Sequence, residues 1–376
     1  MLEGINLQLY VGPLVPVPAP RAVVEALTDV TVTTRDVGRS GFQLTFSVST
    51  RSPLHTLFLL GGGQPVKVLR VVVVVIFNGT PHVLMDGVVT DHEVLPGREA
   101  GYATLSITGE DLTALMDMID FSGFPFPAAP AEGRVALLLL KYAALGLVPL
   151  IVPSILIDVP IPSNRIPAQR RTDLSYIKSL ARRVGYVFYI DPGPVPGANV
   201  AYWGPQIKVG VPQPALNINL DAHTNVDSLS FAFDNSLNTI PTVYHYDETT
   251  KTVITVPIPP ITPLSPPLGL LPPIPLGLKP VSDDLAKYTL TQGILIGVAK
   301  AAKWAEAVSA KGELDVVRYG HVLKARKLVG VRGAGPAYDG LYYVKSVTHK
   351  IKRGEYKQSF ELSRNGLVST VPRVMP

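Results

Sequence analysis

Cysteine is absent from the 376-residue chain, which excludes disulfide cross-links, thiolate nucleophiles and Cys-ligated zinc. A concentrated charge of one sign is missing as well. The 34 Lys and Arg against 29 Asp and Glu leave a net charge of only +5, spread along the chain, which argues against nucleic acid as the main partner. The opening segment "MLEGINLQLY" lacks the basic and apolar regions of a secretion signal. One apolar run, residues 135–157, has the length of a bilayer span, but it carries Lys141, Pro149 and Pro153. It reads instead as a buried helix from about Glu132 to Leu145, capped by Gly146 and followed by an extended apolar strand.

Catalytic patterns are equally scarce. "GGGQPVK" at 61–67 lacks the Gly-Lys-Ser/Thr ending of a phosphate loop, and no Gly-x-Ser-x-Gly elbow occurs. Gly61 to Gly63 read as a loop. The seven histidines are scattered; Asp91-His92-Glu93 and His245-Tyr246-Asp247-Glu248 place their side chains on alternating sides if they lie on strands, so no metal site is expected. His349, beside Lys350, Lys352 and Arg353, reads as part of a solvated basic hairpin tip. No catalytic residue, cofactor or metal is assigned.

What the chain does have is β-pattern. "DVTVTTRD" and "FQLTFSVS" alternate apolar and polar residues, and Asn78-Gly79 separates two apolar runs as a tight hairpin turn. "YATLSITGEDLTALMDMI" adds a strand and a short helix. In "TDLSYIKSLARRVGYVFYI", Thr172 or Asp173 caps a helix whose Leu174, Ile177, Leu180 and Ala181 share one face. Gly185 ends that helix, and a strand follows.

From about Leu216 the β-pattern returns as an echo. Residues 228–247 repeat the layout of 29–48, and residues 342–363 repeat 86–108. In that pairing Val89-Thr90 matches Val347-Thr348, and Leu105 and Ile107 match Phe360 and Leu362. Between the two hairpins of the second copy lies a 24-residue run, 257–280, with ten prolines. Repeated proline fixes φ and removes donors, which leaves only polyproline II or irregular extended chain. Its apolar spacers are unsuited to a solvated linker. Either the run folds onto its own subunit or it forms an arm on a neighbouring one. Leu264, Leu268, Leu271, Ile274 and Leu276 are the candidate subunit or partner contacts. Ser282, Asp283 and Asp284 then open a helix that runs to about Ala310.

The segments "TDLSYIKSLARRVGYVFYI", "GELDVVRYGHVLKARKLVGVRG", "YDGLYYVKSVTHKIKRGEYKQSFELSRNG", "FNGTPHVLMDGVVTDHEV" and "LSITGEDLTALMDMI" resemble the phage late control protein D family of tail hub proteins. The same hub module occurs in VgrG spike proteins of type VI secretion and in contractile injection system baseplates. The resemblance runs from about residue 22 to 367. It implies a mixed α+β, mainly β chain: two similar antiparallel β-barrel, tube-like domains plus α/β inserted domains. The expected layout is a first tube-like domain (1–121), an α/β domain with two helices (122–207), a second, split tube-like domain (208–248 and 312–367), an inserted Pro-rich arm and helix (249–311), and a tail (368–376).

The resemblance further implies a structural homotrimer without enzymatic activity. Its partners would be a hexameric inner tube protein, a separate trimeric spike protein and other baseplate proteins, brought together in the bacterial cytoplasm into a phage tail or injection particle. Three chains with two tube-like domains each would present six similar units, matching a sixfold tube on one side and a threefold spike on the other. A tail-associated cell-wall hydrolase and a membrane-anchored protein are the alternatives.

Overall fold

The computed structural model describes residues 5–13, 15–49, 68–96, 102–154, 159–163, 166–234, 239–247, 250–258, 266–271, 277–281, 290–304 and 306–371. Gly61 to Gly63, Leu264, Ile274, Leu276 and the Ser282-Asp283-Asp284 helix start lie outside these residues.

Alternating side chains build the first strand set. It comprises β1 (Ile5–Gly12), β2 (Val17–Pro18), helix α1 (Arg21–Ala26), β3 (Leu27–Arg35), β4 (Gly41–Ser49), β5 (Arg70–Phe77), β6 (Thr80–Pro96) and β7 (Tyr102–Asp111), followed by helix α2 (Thr113–Met116). Asn78 and Gly79 take φ of 49° and 78°, the left-handed values that let β5 turn directly into β6. β5 is apolar without alternation because both of its faces are covered: Val71, Val73 and Val75 join the main core, and Val72 and Val74 opposite are buried too.

A middle unit follows, with α3 (Ala131–Leu140) and α4 (Asp173–Arg183) packed on β8 (Leu147–Ile151), β9 (Val187–Pro192) and β10 (Asn199–Gly204). The expected caps form. Gly146 adopts φ 76°, and the Thr172 side chain accepts the Ser175 N–H at 3.2 Å. The described part of the apolar run, 135–154, thus begins as helix, turns at Gly146 and continues as a strand, and no helix among the described residues is long and apolar enough to cross a membrane.

The second strand set contains β11 (Gln213–Asn217) and β12 (Ser228–Phe233). An excursion then holds β13 (Thr239–Asp247), β14 (Thr252–Pro257), β15 (Gly269–Leu271), β16 (Gly277–Pro280) and α5 (Leu290–Trp304). The set resumes with β17 (Val308–Asp315), α6 (Val316–Tyr319), β18 (Leu328–Arg332), β19 (Gly340–Lys352) and β20 (Glu355–Arg364), and β21 (Leu367–Ser369) closes the chain's strands.

The echo is visible in the strand order. The first set runs β3-β4-β7-β6-β5-β1 across the sheet. The second runs β12-β17-β20-β19-β18-β11, the same sequence-order permutation. The register repeats as well. In each set the long hairpin has a one-residue bulge, after Val89 in β6 and after Val344 in β19. Stepping across the ladder from that bulge gives Val89, Gly109, Phe42 and Val32 in one set, and Val344, Leu362, Ala310 and Phe231 in the other.

Two sequence expectations are corrected here. Val89 corresponds to Val344, not Val347, and Leu105 to Gln358, not Phe360: period-two alternation does not distinguish Gln358 from Phe360, two residues on, and the bulge between Val344 and Ser346 leaves Val344 and Val347, three apart, both buried. Second, β13 is not the hairpin partner of β12. It pairs with β14 and β16 in a separate three-stranded sheet, and β17 takes the place beside β12.

The two closed barrels that the resemblance implies are not seen among the described residues. Among the described residues no pairing closes either set on itself. The free side of β3 is instead taken by β19, so both sets lie in one 13-stranded sheet. One core runs beneath them, from Leu44, Phe46, Leu105 and Ile107 to Val329, Val347, Phe360 and Leu362. Each such side chain contributes about 1.5–3 kcal/mol by leaving water. A second core lies under the middle unit around Val135, Leu139, Ile177, Leu180 and Trp203. It extends to Val243, Ile258 and Ile296 of the excursion.

Candidate assembly surfaces

The β3–β19 seam joins the halves by seven antiparallel residue pairs, from Ser346 opposite Arg35 to Lys352 opposite Asp29. On its outer face the Thr33 and Thr348 hydroxyls meet at 3.0 Å and Lys352 reaches Asp29 at 3.4 Å. On its inner face Val30, Val32, Val347, His349 and Ile351 are buried. His349 is thus not at a solvated tip, as its basic neighbours suggested. Alternation turns it inward, away from exposed Lys350 and Lys352, and β3 covers it.

Charged side chains that the sequence reading passed over fix the middle unit to the seam. Arg326 donates to the Arg35 carbonyl from Nε at 3.1 Å and Nη2 at 2.7 Å. It also donates to the Ile190 carbonyl at 3.2 Å and Asp191 Oδ1 at 2.8 Å, and its guanidinium lies 3.9 Å from the Tyr189 ring centroid. One side chain therefore holds the first set, the middle unit and its own second set. It does so from a backbone φ of 66°, a left-handed conformation that costs a non-glycine residue roughly 1–2 kcal/mol.

Close by, buried Glu306 accepts from Lys208 at 2.9 Å and Lys345 at 3.1 Å. Burial works to raise its carboxyl, but the two ammonium groups prevail and hold it below its ordinary value. Asp36, bonded to Gln206 at 2.7 Å, is instead raised by burial despite Lys345. A third cluster ties β5 and β6 to the middle unit. Arg70 clamps Asp86 with two 2.7 Å bonds, Asn199 donates to Asp86 at 2.8 Å, and Arg70 reaches the Leu145 carbonyl at 2.9 Å. A lone arginine opening a valine run was the available signal for this cluster. Nothing in "KARKLVG" marks Arg326 among its exposed basic neighbours.

The described parts of the proline-rich run lie on their own chain. β15 pairs antiparallel with β21, and Leu268 is buried against Leu328 and Tyr343. The Leu268 N–H donates to Asn365 Oδ1 at 2.8 Å. Leu271, by contrast, is 58 % exposed, and Leu270 and Leu278 are also exposed. Of the candidate contact residues, Leu268 is thus occupied within its own chain and Leu271 faces outward. Among the described residues no group of three His, Asp or Glu is placed to hold a metal ion.

Among the sheet edges left unpaired in the described residues are the outer side of β12 and β6 beyond its bulge, residues 91–96. Val94 and Leu95 on the latter are 40 % and 50 % exposed.

No family model matches the chain, and no curated protein matches it in sequence. Solved structures do match in fold. A tail protein from Neisseria meningitidis MC58 superposes with a TM-score of 0.62 at 14 % identity, covering 97 % of this chain and 98 % of that one. The 43 kDa tail protein of prophage MuSo2 from Shewanella oneidensis gives 0.61 at 13 % identity, covering 96 % and 98 %. The E. coli c3393 protein gives 0.53 at 12 % identity, covering 93 % and 77 %. It is described as a component of the type VI secretion system with structural similarity to the T4 tail proteins gp27 and gp5. The chain has the fold of these tail proteins over nearly its whole length.

Proposed function

We propose that this chain is a structural hub of the baseplate in a contractile phage tail or tail-like injection particle. Three copies adapt a sixfold inner tube to a threefold spike. The observation that supports this most directly is the repeated strand order, β3-β4-β7-β6-β5-β1 and β12-β17-β20-β19-β18-β11, inside one continuous sheet. A chain that carries the same unit twice, side by side, gives a threefold ring six similar units to set against a tube. The shared fold with tail proteins supports the setting. The role is scaffolding: buried Arg70, Arg326 and Glu306 are each held by partners inside the fold, as structural ion pairs are.

The test is the mass of the purified chain by light scattering, alone and with its tube protein, together with electron micrographs viewed down the ring axis. A homotrimer with a threefold ring of six similar lobes, bound to the tube protein, is expected. A chain that stays monomeric with the tube protein present would refute the reading.

A further inference from the structure

The internal seam specifies what the two open edges are for. Within one chain, β19 beyond its bulge accepts β3 along its free side. The register places β6 beyond its bulge in the same position as that stretch of β19, and β12 in the same position as β3. So each chain has one more acceptor edge, residues 91–96, and one more donor edge, Ser228–Phe233, and neither is paired among the described residues. The burial pattern is consistent. Val347, His349 and Ile351 are buried at the filled acceptor, whereas their counterparts His92, Val94 and Pro96 are exposed. Val30 and Val32 are buried in the filled donor, whereas their counterparts Leu229 and Phe231 are only partly covered, and Phe233 is 36 % exposed.

We infer that β12 of one copy pairs antiparallel with residues 91–96 of a second copy of this chain, in the register of the internal seam. Transferring that register puts Val94 opposite Phe231, His92 opposite Phe233 and Glu93 opposite Ala232 of the neighbour. The occupant is a second copy because the strand that fills the equivalent edge inside the chain is the counterpart of β12 itself. Donor and acceptor differ, so the contact is heterologous and propagates head to tail until the rotation per copy closes a ring. It also removes two open sheet edges that would otherwise template unspecific pairing. The inference rests on the homo-oligomeric reading above and adds the residues through which the copies join.

A cysteine-free chain makes the test direct. Glu93→Cys with Ala232→Cys puts one thiol on each edge at the positions corresponding to Thr348 and Thr33, whose hydroxyls meet at 3.0 Å in the internal seam. The Thr33→Cys/Thr348→Cys variant is the positive control, forming its disulfide within one chain. Under mild oxidation the Glu93/Ala232 double variant should run as a reductant-sensitive ladder ending at the ring's copy number, and neither single variant should. Val94→Glu, at a site exposed in the single chain, should keep the far-ultraviolet spectrum unchanged and shift the light-scattering mass toward monomer.

Oligomeric mass without the ladder, while the control oxidises, would overturn this pairing and leave the hub reading standing. That result would also be expected if another protein's strand occupied these edges. Monomeric mass for the parent chain, with the tube protein present, would remove both.

Discussion

His349 carries the most quantitative expectation. Its ring sits 4 % exposed beneath the seam, with Nδ1 2.8 Å from the Tyr356 hydroxyl and 3.2 Å from Gln358 Nε2. The Gln358 amide has no freedom to flip, because its Oε1 accepts from the Leu323 N–H at 3.0 Å and its Nε2 donates to the Leu323 carbonyl at 2.8 Å. Nδ1 must therefore accept from that NH2 group, and the ring is neutral with its proton on Nε2. Burial, reinforced by His82 and Lys324, pushes the imidazole from its ordinary 6.5 down to about 3. In the unfolded chain His349 takes up a proton below pH 6.5; in the folded chain it does so only near 3. The unfolded state thus binds more protons across that window, and stability falls as pH drops through it.

Integrated from pH 7.5 to pH 5, this one residue removes about 2 kcal/mol of stability. The assay is urea unfolding at both pH values and fixed protomer concentration, comparing the parent chain with His349→Asn, whose amide oxygen can accept in place of Nδ1. The variant will be less stable at either pH, but its loss between them should be smaller by about 2 kcal/mol. Equal losses in the two proteins would refute the buried neutral histidine.

Three further outcomes follow from other contacts. Asp86→Ala strands Arg70 in the interior and should cost about 3–5 kcal/mol in urea unfolding, whereas Arg70→Met with Asp86→Leu should recover most of it; equal damage from both would contradict the account of the pair. Gly269→Val should unseat β15, since a Cβ there falls 2.8 Å from Gly366 Cα and nearer still to its carbonyl group. Chymotryptic cleavage at Leu268 or Leu270 should then accelerate, and an unchanged rate would mean that the β15–β21 pairing does not hold the run down. Arg326→Lys keeps the charge but loses the fork that grips Arg35, Ile190 and Asp191. It should destabilise by about 2–4 kcal/mol, and a loss below 0.5 kcal/mol would show that the three-way attachment is not needed.

Local chemistry made much of the fold readable. Period-two alternation marked β3, β4, β7 and β12, Asn78-Gly79 marked a hairpin, and Thr172 and Gly146 marked helix ends, because each is decided by residues a few positions apart. Pairings over long distances were hidden. "VYHYD" alternates as well as any core strand, but whether it sits beside β12 or β14 depends on which partner buries it, and its inner face went to the excursion core at Val243. His349 and Arg326 were obscured by basic neighbours, since composition averages over a face that alternation splits. The assembly surfaces were least legible. An exposed edge at residues 91–96 carries ordinary strand sequence, and only its counterpart's burial at 346–351 distinguishes it.

The seven-pair seam between β3 and β19 has a mechanical corollary. Two lobes strung on a linker would swivel when pushed, but lobes sharing one hydrogen-bonded sheet must shear several backbone bonds at once before either tilts. A thrust delivered to one lobe reaches the other without a hinge to absorb it.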